Sequence, residues 1–342
     1  MPRTLGLLAL AALAFVATAS ATRPLVPLPD YSDLALRFAH FTEPDEPYDL
    51  IFLGPSTTRC SFDPRVVDAD LAKQGHPIRS ANLGLPGANY FEIDHMVERL
   101  VERRPAGLRW LVIELHPPGF SALIRPQNLY TDRATHWHTP RQLRDVVTAL
   151  ARPRDGQVVR VDRMLVHLRH ALWRFANVGQ ADRIVASLRS GEDGERDERR
   201  GFAPENCSEA RIDSPEHRAS IQSPSEFRKR AGRLDRQNRT PVPTHQLNPE
   251  KLRRQVASLR AIGVEPVYVM TPILSPVPGI HTLRRHEVLP NLLAFDSPER
   301  YPEFYALPMR RDELHLNETG AELFSHEFAS HFARWLDTGL EP

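Results

Sequence analysis

The chain has 342 residues, 41% hydrophobic and 25% charged, which is the balance of a globular protein with one large domain or two smaller ones. A formal net charge of +1, with no long basic stripe, excludes a general nucleic-acid binder. Only Lys73, Lys229 and Lys251 are lysines, and the abundant arginine reads as the codon bias of a GC-rich genome rather than as a set of phosphate ligands.

At the N-terminus Arg3 precedes an apolar run from Leu5 to Val16, and Ala19-Ser20-Ala21 fits a small-residue cleavage site. Residues 1–21 are expected to be a cleavable signal peptide, and the protein to be exported, periplasmic or extracellular. The apolar core is short for a membrane span, which needs about 20 residues. Because the run can be extended to Ala21, a retained anchor facing the periplasm is the alternative, and membrane contact is expected only in that case. No cysteine lies near the cleavage point, which argues against a lipoprotein. Cys60 and Cys207 are the only cysteines; in an oxidising compartment they can pair, but pairing is not deducible from sequence.

Asp49 to Leu53 is an apolar strand ending at Gly54, and Pro64 to Gln74 follows as a helix. Ile78 to Leu83 is a second strand, ending at Gly84-Leu-Pro-Gly87, and Phe91 to Arg103 has helical apolar spacing. Arg109 to Leu115 is a nearly continuous apolar strand of the kind buried on both faces. From Pro117 to about Gln246 no convincing strand follows. Arg141 to Ala151 and Val161 to Leu188 read as helices, and Gly191 to Thr244, dominated by Arg, Glu, Asp, Ser and Pro, is expected to be largely mobile. The α/β rhythm resumes with a helix from Pro249 to Ile262, strands at Glu265 to Met270 and Asn291 to Asp296, and a closing helix from Thr319 to Trp335.

The fold expected is a three-layer α/β/α sandwich around a five-stranded parallel sheet, flavodoxin-like, with a largely helical insertion. Residues 22–117 and 248–337 form the discontinuous α/β/α domain. Residues 118–247 form the insertion, which by position alone is expected to cap the site. Ligands of such sheets bind beyond the C-terminal strand ends, where Gly54-Pro-Ser56, Gly84-Leu-Pro-Gly87, His116-Pro-Pro and Thr271-Pro all lie.

The segment Asp312-Glu-Leu-His315-Leu-Asn-Glu-Thr-Gly320 places a carboxylate three residues before a histidine, in a turn entering an amphipathic helix. A serine hydroxyl needs a base within hydrogen-bond reach to act as a nucleophile. His315 can be that base for Ser56, with Asp312 fixing its tautomer. The backbone N–H groups of Ser56 and Gly87 are candidate oxyanion donors, with Asn89 a further candidate. Gly54 and Asn82 are read as loop support.

These residues resemble the SGNH (GDSL-like) hydrolase superfamily. Its first block, usually Gly-Asp-Ser, corresponds to Gly54-Pro55-Ser56. Its second, an Asn followed five residues later by the oxyanion glycine, corresponds to Asn82 and Gly87. Its fifth, Asp-x-x-His, corresponds to Asp312 and His315. The likeness covers residues 48–117 and 249–335, and it implies a Ser-His-Asp triad, an acyl-enzyme and no cofactor. The third block, Gly-x-Asn-Asp, is missing: this chain has Glu114-Leu-His-Pro-Pro-Gly119. Losing one oxyanion donor costs about 2.7–4 kcal/mol of transition-state stabilisation, unless Asn89 or His116 substitutes. A similar loss is familiar among SGNH-like proteins of envelope modification, so the expected substrate is an acylated carbohydrate, lipid or small ester of the envelope.

Blander readings stand beside these. Ser56 is also a plausible helix cap, Thr57 and Thr58 are competing hydroxyls outside the family position, and Asp312 suits a helix start. His136-Trp-His138 is read as loop surface with no metal, His167 and His170 as interface or solvent residues, and Trp110 and Trp335 as core. Two rival functions remain: a catalytically degenerate SGNH fold that binds or assembles cell-surface polysaccharide, and a flavodoxin-like nucleotide binder. The second has no phosphate-loop or Gly-x-Gly-x-x-Gly motif to support it.

Overall fold

The computed structural model describes residues 2–29, 31, 33–43, 47–115, 129–150, 157–189, 199–203, 223–244 and 247–339. In chain order its elements begin with α1 (Pro2–Thr22), α2 (Leu34–Thr42), β1 (Leu50–Pro55), α3 (Ser56–Ser61), α4 (Pro64–Lys73), β2 (Ser80–Leu85), α5 (Tyr90–Arg103) and β3 (Trp110–Glu114). A helical stretch follows, with α6 (Asp132–His136), α7 (Pro140–Leu150), α8 (Gln157–Phe175), α9 (Ala181–Arg189) and α10 (Pro224–Arg239). The chain then continues through α11 (Pro249–Arg260), β4 (Glu265–Met270), α12 (Ile280–Arg285), β5 (Leu292–Ala294) and α13 (Glu318–Thr338). It divides into two compact units, Met1–Leu36 with Ser121–Glu195, and Arg37–Phe120 with Arg196–Pro342.

The second unit is the α/β fold. Five parallel strands lie in the order β2-β1-β3-β4-β5, with Leu50 opposite Ser80 on one side and Trp110 on the other. The expected strands therefore all form, each near its sequence position. From β1 the chain steps outward to β2 and then crosses to β3 on the opposite side. The topological switch, where such sheets bind ligands, thus lies between β1 and β3.

Strand residues alternate between faces. On one face Leu50 and Phe52 meet α4 and α13 in a core that also contains Phe62, Phe324, Phe328 and Phe332. Phe324, Phe328 and Phe332 recur every four residues, so one stripe of α13 carries all three rings. Phe62 stacks on Phe52 with centroids 4.4 Å apart, and Phe328 meets both edge-on at 5.3 and 5.1 Å. Trp110 contacts Phe332 at 5.7 Å, the core role expected of it, and Trp335 packs against the same core.

The other face is covered by α5 and α11, which are joined by a buried ion pair. Lys251 Nζ lies 3.0 Å from Asp94 Oδ2 with neither side chain more than 1% exposed. Gln255 Nε2 donates to Asp94 Oδ1 at 2.8 Å and its Oε1 accepts from the Tyr268 hydroxyl at 2.9 Å. Lys251 also sits over the Phe91 ring at 4.1 Å.

One helix departs from expectation. Within the stretch read as mobile, Pro224–Arg239 is helical and buries Phe227 and Leu234 in the core. Those two residues lie seven apart, two helical turns, in an otherwise charged sequence too sparse to betray an apolar face.

The first unit contains α1 and α6 to α9. The single helix expected from Val161 to Leu188 is two, because Asn177 (φ 51°) and Gly179 (φ 72°) adopt left-handed backbone between them. His138, expected at the loop surface, and His167 and His170, expected as interface or solvent residues, are buried, as is Trp137. His138 Nε2 lies 2.9 Å from His167 Nδ1, and His170 Nδ1 lies 3.0 Å from Thr135 Oγ1. Burial and then the neighbouring His167 and His170 hold His138 well below the ordinary histidine range, and burial beside Arg169 brings His170 down to about 4. His138 and His170 are therefore neutral packing groups, and the hydrogen bonds of His138 with His167 and of His170 with Thr135 make burial tolerable. Among the described residues no three His, Cys, Asp or Glu are grouped to hold a metal ion.

Candidate active site

Strand β1 passes into α3 without an intervening loop, which sets Ser56 on a sharp strand-to-helix turn at the C-terminal sheet edge. Two glycines permit this. A Cβ on Gly54 would collide with Thr58 Oγ1 and stand 2.7 Å from Glu114 Cβ, and one on Gly84 would stand 2.6 Å from the Arg59 Cα. Gly54 and Gly84 thus let α3 settle onto β1 and β2. Asn82 holds the same helix: its Nδ2 donates to the Thr58 and Phe62 carbonyls at 2.9 and 2.8 Å, and its Oδ1 accepts from Gly84 N–H at 2.9 Å. The loop-support roles expected of Gly54 and Asn82 have this physical content.

The histidine turn is built as a closed loop on the start of α13. Arg310 and Leu316 pair as an antiparallel bridge, and the His315 carbonyl accepts from Arg311 N–H at 3.0 Å. The buried Arg310 guanidinium donates to the Asp312, Pro272, Phe304 and Glu313 carbonyls at 2.7–3.0 Å. Burial draws this guanidinium down to about 10, which leaves it charged at neutral pH. Asn317 caps α13, its Oδ1 accepting from Gly320 N–H at 2.9 Å. A Cβ on Gly320 would run into the Met309 carbonyl. The Leu-Asn-x-x-Gly tail of the motif is therefore a cap followed by a close approach of two backbones.

These two constructions meet. His315 Nε2 lies 2.8 Å from Ser56 Oγ, and His315 Nδ1 lies 2.8 and 2.9 Å from Asp312 Oδ2 and Oδ1. With Nδ1–H donating to the carboxylate, Nε2 is the lone-pair nitrogen and accepts from the Ser56 hydroxyl. Asp312 Oδ1 also accepts from the Leu314 and His315 amides at 2.7 and 2.8 Å. Burial alone would raise this carboxyl; the His315 ring N–H and charge and the two amides outweigh it and hold the group well below its ordinary 3.8. Asp312 and His315 are buried and Ser56 is half-buried. The hydroxyl, the base and the orienting acid form one unbroken hydrogen-bonded chain.

Compared with protein-family profiles, curated proteins and solved structures, the sequence and fold match none.

The second glycine turn has its own logic. Leu85-Pro86-Gly87-Ala88 is closed by Ala88 N–H donating to the Leu85 carbonyl at 3.0 Å, with proline second and Gly87 third at φ 67°. That is the type II pattern, in which the third position favours glycine. Asn89 caps α5 through Oδ1, which accepts from the Phe91 and Glu92 amides at 2.9 and 3.0 Å, while Glu92 reaches back to the Asn89 N–H at 2.8 Å. His116, the other candidate substitute for the missing asparagine, lies outside the described residues, as does Cys207; Cys60 itself is buried and not free.

Sequence reasoning named Glu114 only as marking the absent third block, and missed what it does. The carboxyl stands at the end of β3, fully buried. Its Oε1 accepts from Thr57 and Thr271 hydroxyls at 2.6 and 2.5 Å, and its Oε2 from Thr58 at 2.5 Å. It therefore ties the α3 turn to the ends of β3 and β4. Burial pushes the carboxyl above its ordinary 4.5, against the three hydroxyls and the charge of His315. The only signal available was an acid closing an apolar strand together with a Thr-Thr pair after Ser56. The third partner, Thr271, is 157 residues away.

Proposed function

We propose that this protein is an exported serine esterase or acyltransferase of SGNH type, acting on O-acyl esters of envelope glycans or lipids. The observation that carries the reading is the Ser56–His315–Asp312 chain, assembled from two segments 259 residues apart. Ser56 Oγ attacks the acyl carbonyl as His315 Nε2 takes its proton, and Asp312 stabilises the imidazolium that forms. The tetrahedral oxyanion rests on the backbone N–H groups of Ser56 and Gly87. Its collapse expels the alcohol, which takes the proton back from His315, and leaves an acyl-Ser56 ester. Water or a sugar hydroxyl then attacks that ester as His315 takes its proton. Collapse breaks the acyl–Oγ bond, so that Ser56 Oγ leaves with the His315 proton and the acyl group departs as the free acid or the new sugar ester.

The unbroken triad supports catalysis over the binding-module reading, for which Ser56 and Asp312 need not be so arranged. The chain has no third-block asparagine, and Asn89 and His116 are the candidates for a third oxyanion donor beside the Ser56 and Gly87 amides. The test is release of p-nitrophenol from acetyl and longer acyl esters by the detergent-solubilised full chain, with and without an oligosaccharide acceptor. Turnover that falls about 10⁴-fold or more in Ser56→Ala supports the reading. Turnover unchanged in Ser56→Ala would overturn it. Acyl transfer that outpaces hydrolysis when sugar is added would assign acyltransferase over esterase.

A further inference from the structure

Helix α1 and helix α8 together carry the largest run of exposed apolar side chains among the described residues. Along α8, Val161, Leu165, Leu168, Leu172 and Phe175 are 54, 60, 40, 66 and 38% exposed. Their spacing of four, three, four and three residues sets them on one stripe. His167 and His170, on the opposite face, are buried. Val178, Val185 and Leu188 add exposed apolar surface after the stripe. This stripe is not the interior of its own unit.

Helix α1 explains what solvent the stripe meets. The segment Thr4–Leu25 is long and apolar enough to cross a bilayer. Leu5, Leu7, Leu8, Leu10, Leu13, Phe15 and Val16 are exposed on all its sides, the pattern of a lipid-facing helix rather than one with a single packed face. The end of α1 is fastened to the end of α8. Phe15 and Phe175 rings lie 6.5 Å apart. Arg23 donates to the Phe175 carbonyl at 2.9 Å, and Asn177 Nδ2 donates to the Ala19 carbonyl and to Thr22 Oγ1, both at 2.8 Å. Cleavage after Ala21 would remove Ala19 from Asn177 and Phe15 from Phe175. The medium that surrounds Phe15 therefore also reaches Phe175 and the stripe that continues from it.

The margin of the stripe is dressed for an interface. The Arg169 guanidinium lies 4.9 Å from both the Tyr130 and Trp173 ring centroids. Aromatic and arginine side chains of this kind gather at membrane–water boundaries, where one end is apolar and the other wet.

We propose that α1 is retained as a membrane anchor and that the Val161–Phe175 stripe of α8 lies on the same bilayer, so the helical unit is held against a lipid surface at two places. The proposal does not depend on the chemistry at Ser56. It replaces the cleaved-signal expectation with the anchored alternative and adds a second, interfacial contact.

The test is a membrane-partitioning carbene probe, applied to the full-length chain in the membranes of expressing cells and mapped by peptide mass. Adducts on both α1 and 161–178 are expected, with a mature N-terminus upstream of Thr22. In the Leu165→Arg/Leu172→Arg variant the 161–178 adducts should be lost while those on α1 persist; since both positions are exposed, circular dichroism should be unchanged. Adducts on α1 alone, or a chain beginning at Thr22 in the soluble fraction, would overturn the proposal. So would a disulfide-linked dimer of Leu168→Cys, which would assign the stripe to a second copy of this chain.

Discussion

Asp312 accepts from three N–H groups, and this makes its ionised form the stable one in the fold. Its folded-state pKa lies below the unfolded value of 3.8, so the stability it contributes is fully present above that value and disappears as pH falls through the folded one. The stability gap between wild type and Asp312→Asn, measured by urea unfolding, is therefore expected to be widest near neutrality and to close in acid. On activity the same substitution is expected to cost about 10⁴-fold in kcat, because the wrong tautomer of His315 is then favoured. Glu114 has the opposite sign: burial raises it, so its ionisation opposes folding as pH rises through and above 4.5. Glu114→Gln keeps an acceptor for the threonine hydroxyls and removes that pH-dependent cost, so it should fold. Glu114→Ala strands the buried hydroxyls of Thr57, Thr58 and Thr271 and is expected to destabilise by about 3 kcal/mol or more, read as a drop in Tm. Ser56, Asp312 and His315 were legible because their spacing is local or follows a strand. Glu114 was not, because its role exists only once β1, β3 and β4 lie side by side.

Among the elements, α13 does the most. It presents Phe324, Phe328 and Phe332 to the sheet and, through its N-terminal cap, holds the histidine turn over Ser56. Gly320→Ala is expected to push α13 away from the Met309 backbone and lower turnover more than the loss in Tm alone explains. Asn317→Ala, which removes only the cap, should cost about 1 kcal/mol. Phe328→Ala empties a site between Phe52, Phe62 and Phe332 and should cost about 3–5 kcal/mol. On the other face, Lys251→Met leaves the Asp94 carboxylate buried without its cation and is expected to cost about 3–5 kcal/mol, recovered in part by Asp94→Asn in the same chain. The five strands were readable as short apolar runs ending in glycine or proline turns. Helix α10 was not, since two buried apolar side chains in sixteen positions leave no periodic signal, and the break between α8 and α9 was hidden in an Asn-Val-Gly whose left-handed backbone interrupts an otherwise continuous apolar pattern.

For the whole molecule, the parallel sheet was legible because its two halves, separated by a long insertion, repeat the same strand-to-helix rhythm. The sheet order then does what no local pattern could: it puts the end of β1 at the switch point, next to the end of β3, and lets α13 bring Asp312 and His315 to the same edge. Burial of three histidines in the helical unit was beyond sequence, because His138 in the connection between α6 and α7 and His167 and His170 on α8 read as polar until their hydrogen-bond partners are known. An activated Ser56 is the claim on which the functional reading rests, and fluorophosphonate labelling of the purified full-length chain, read by intact mass, tests it most directly. A single adduct on Ser56, absent from both Ser56→Ala and His315→Ala, is expected. An unmodified wild-type chain, or an adduct that survives Ser56→Ala, would contradict it.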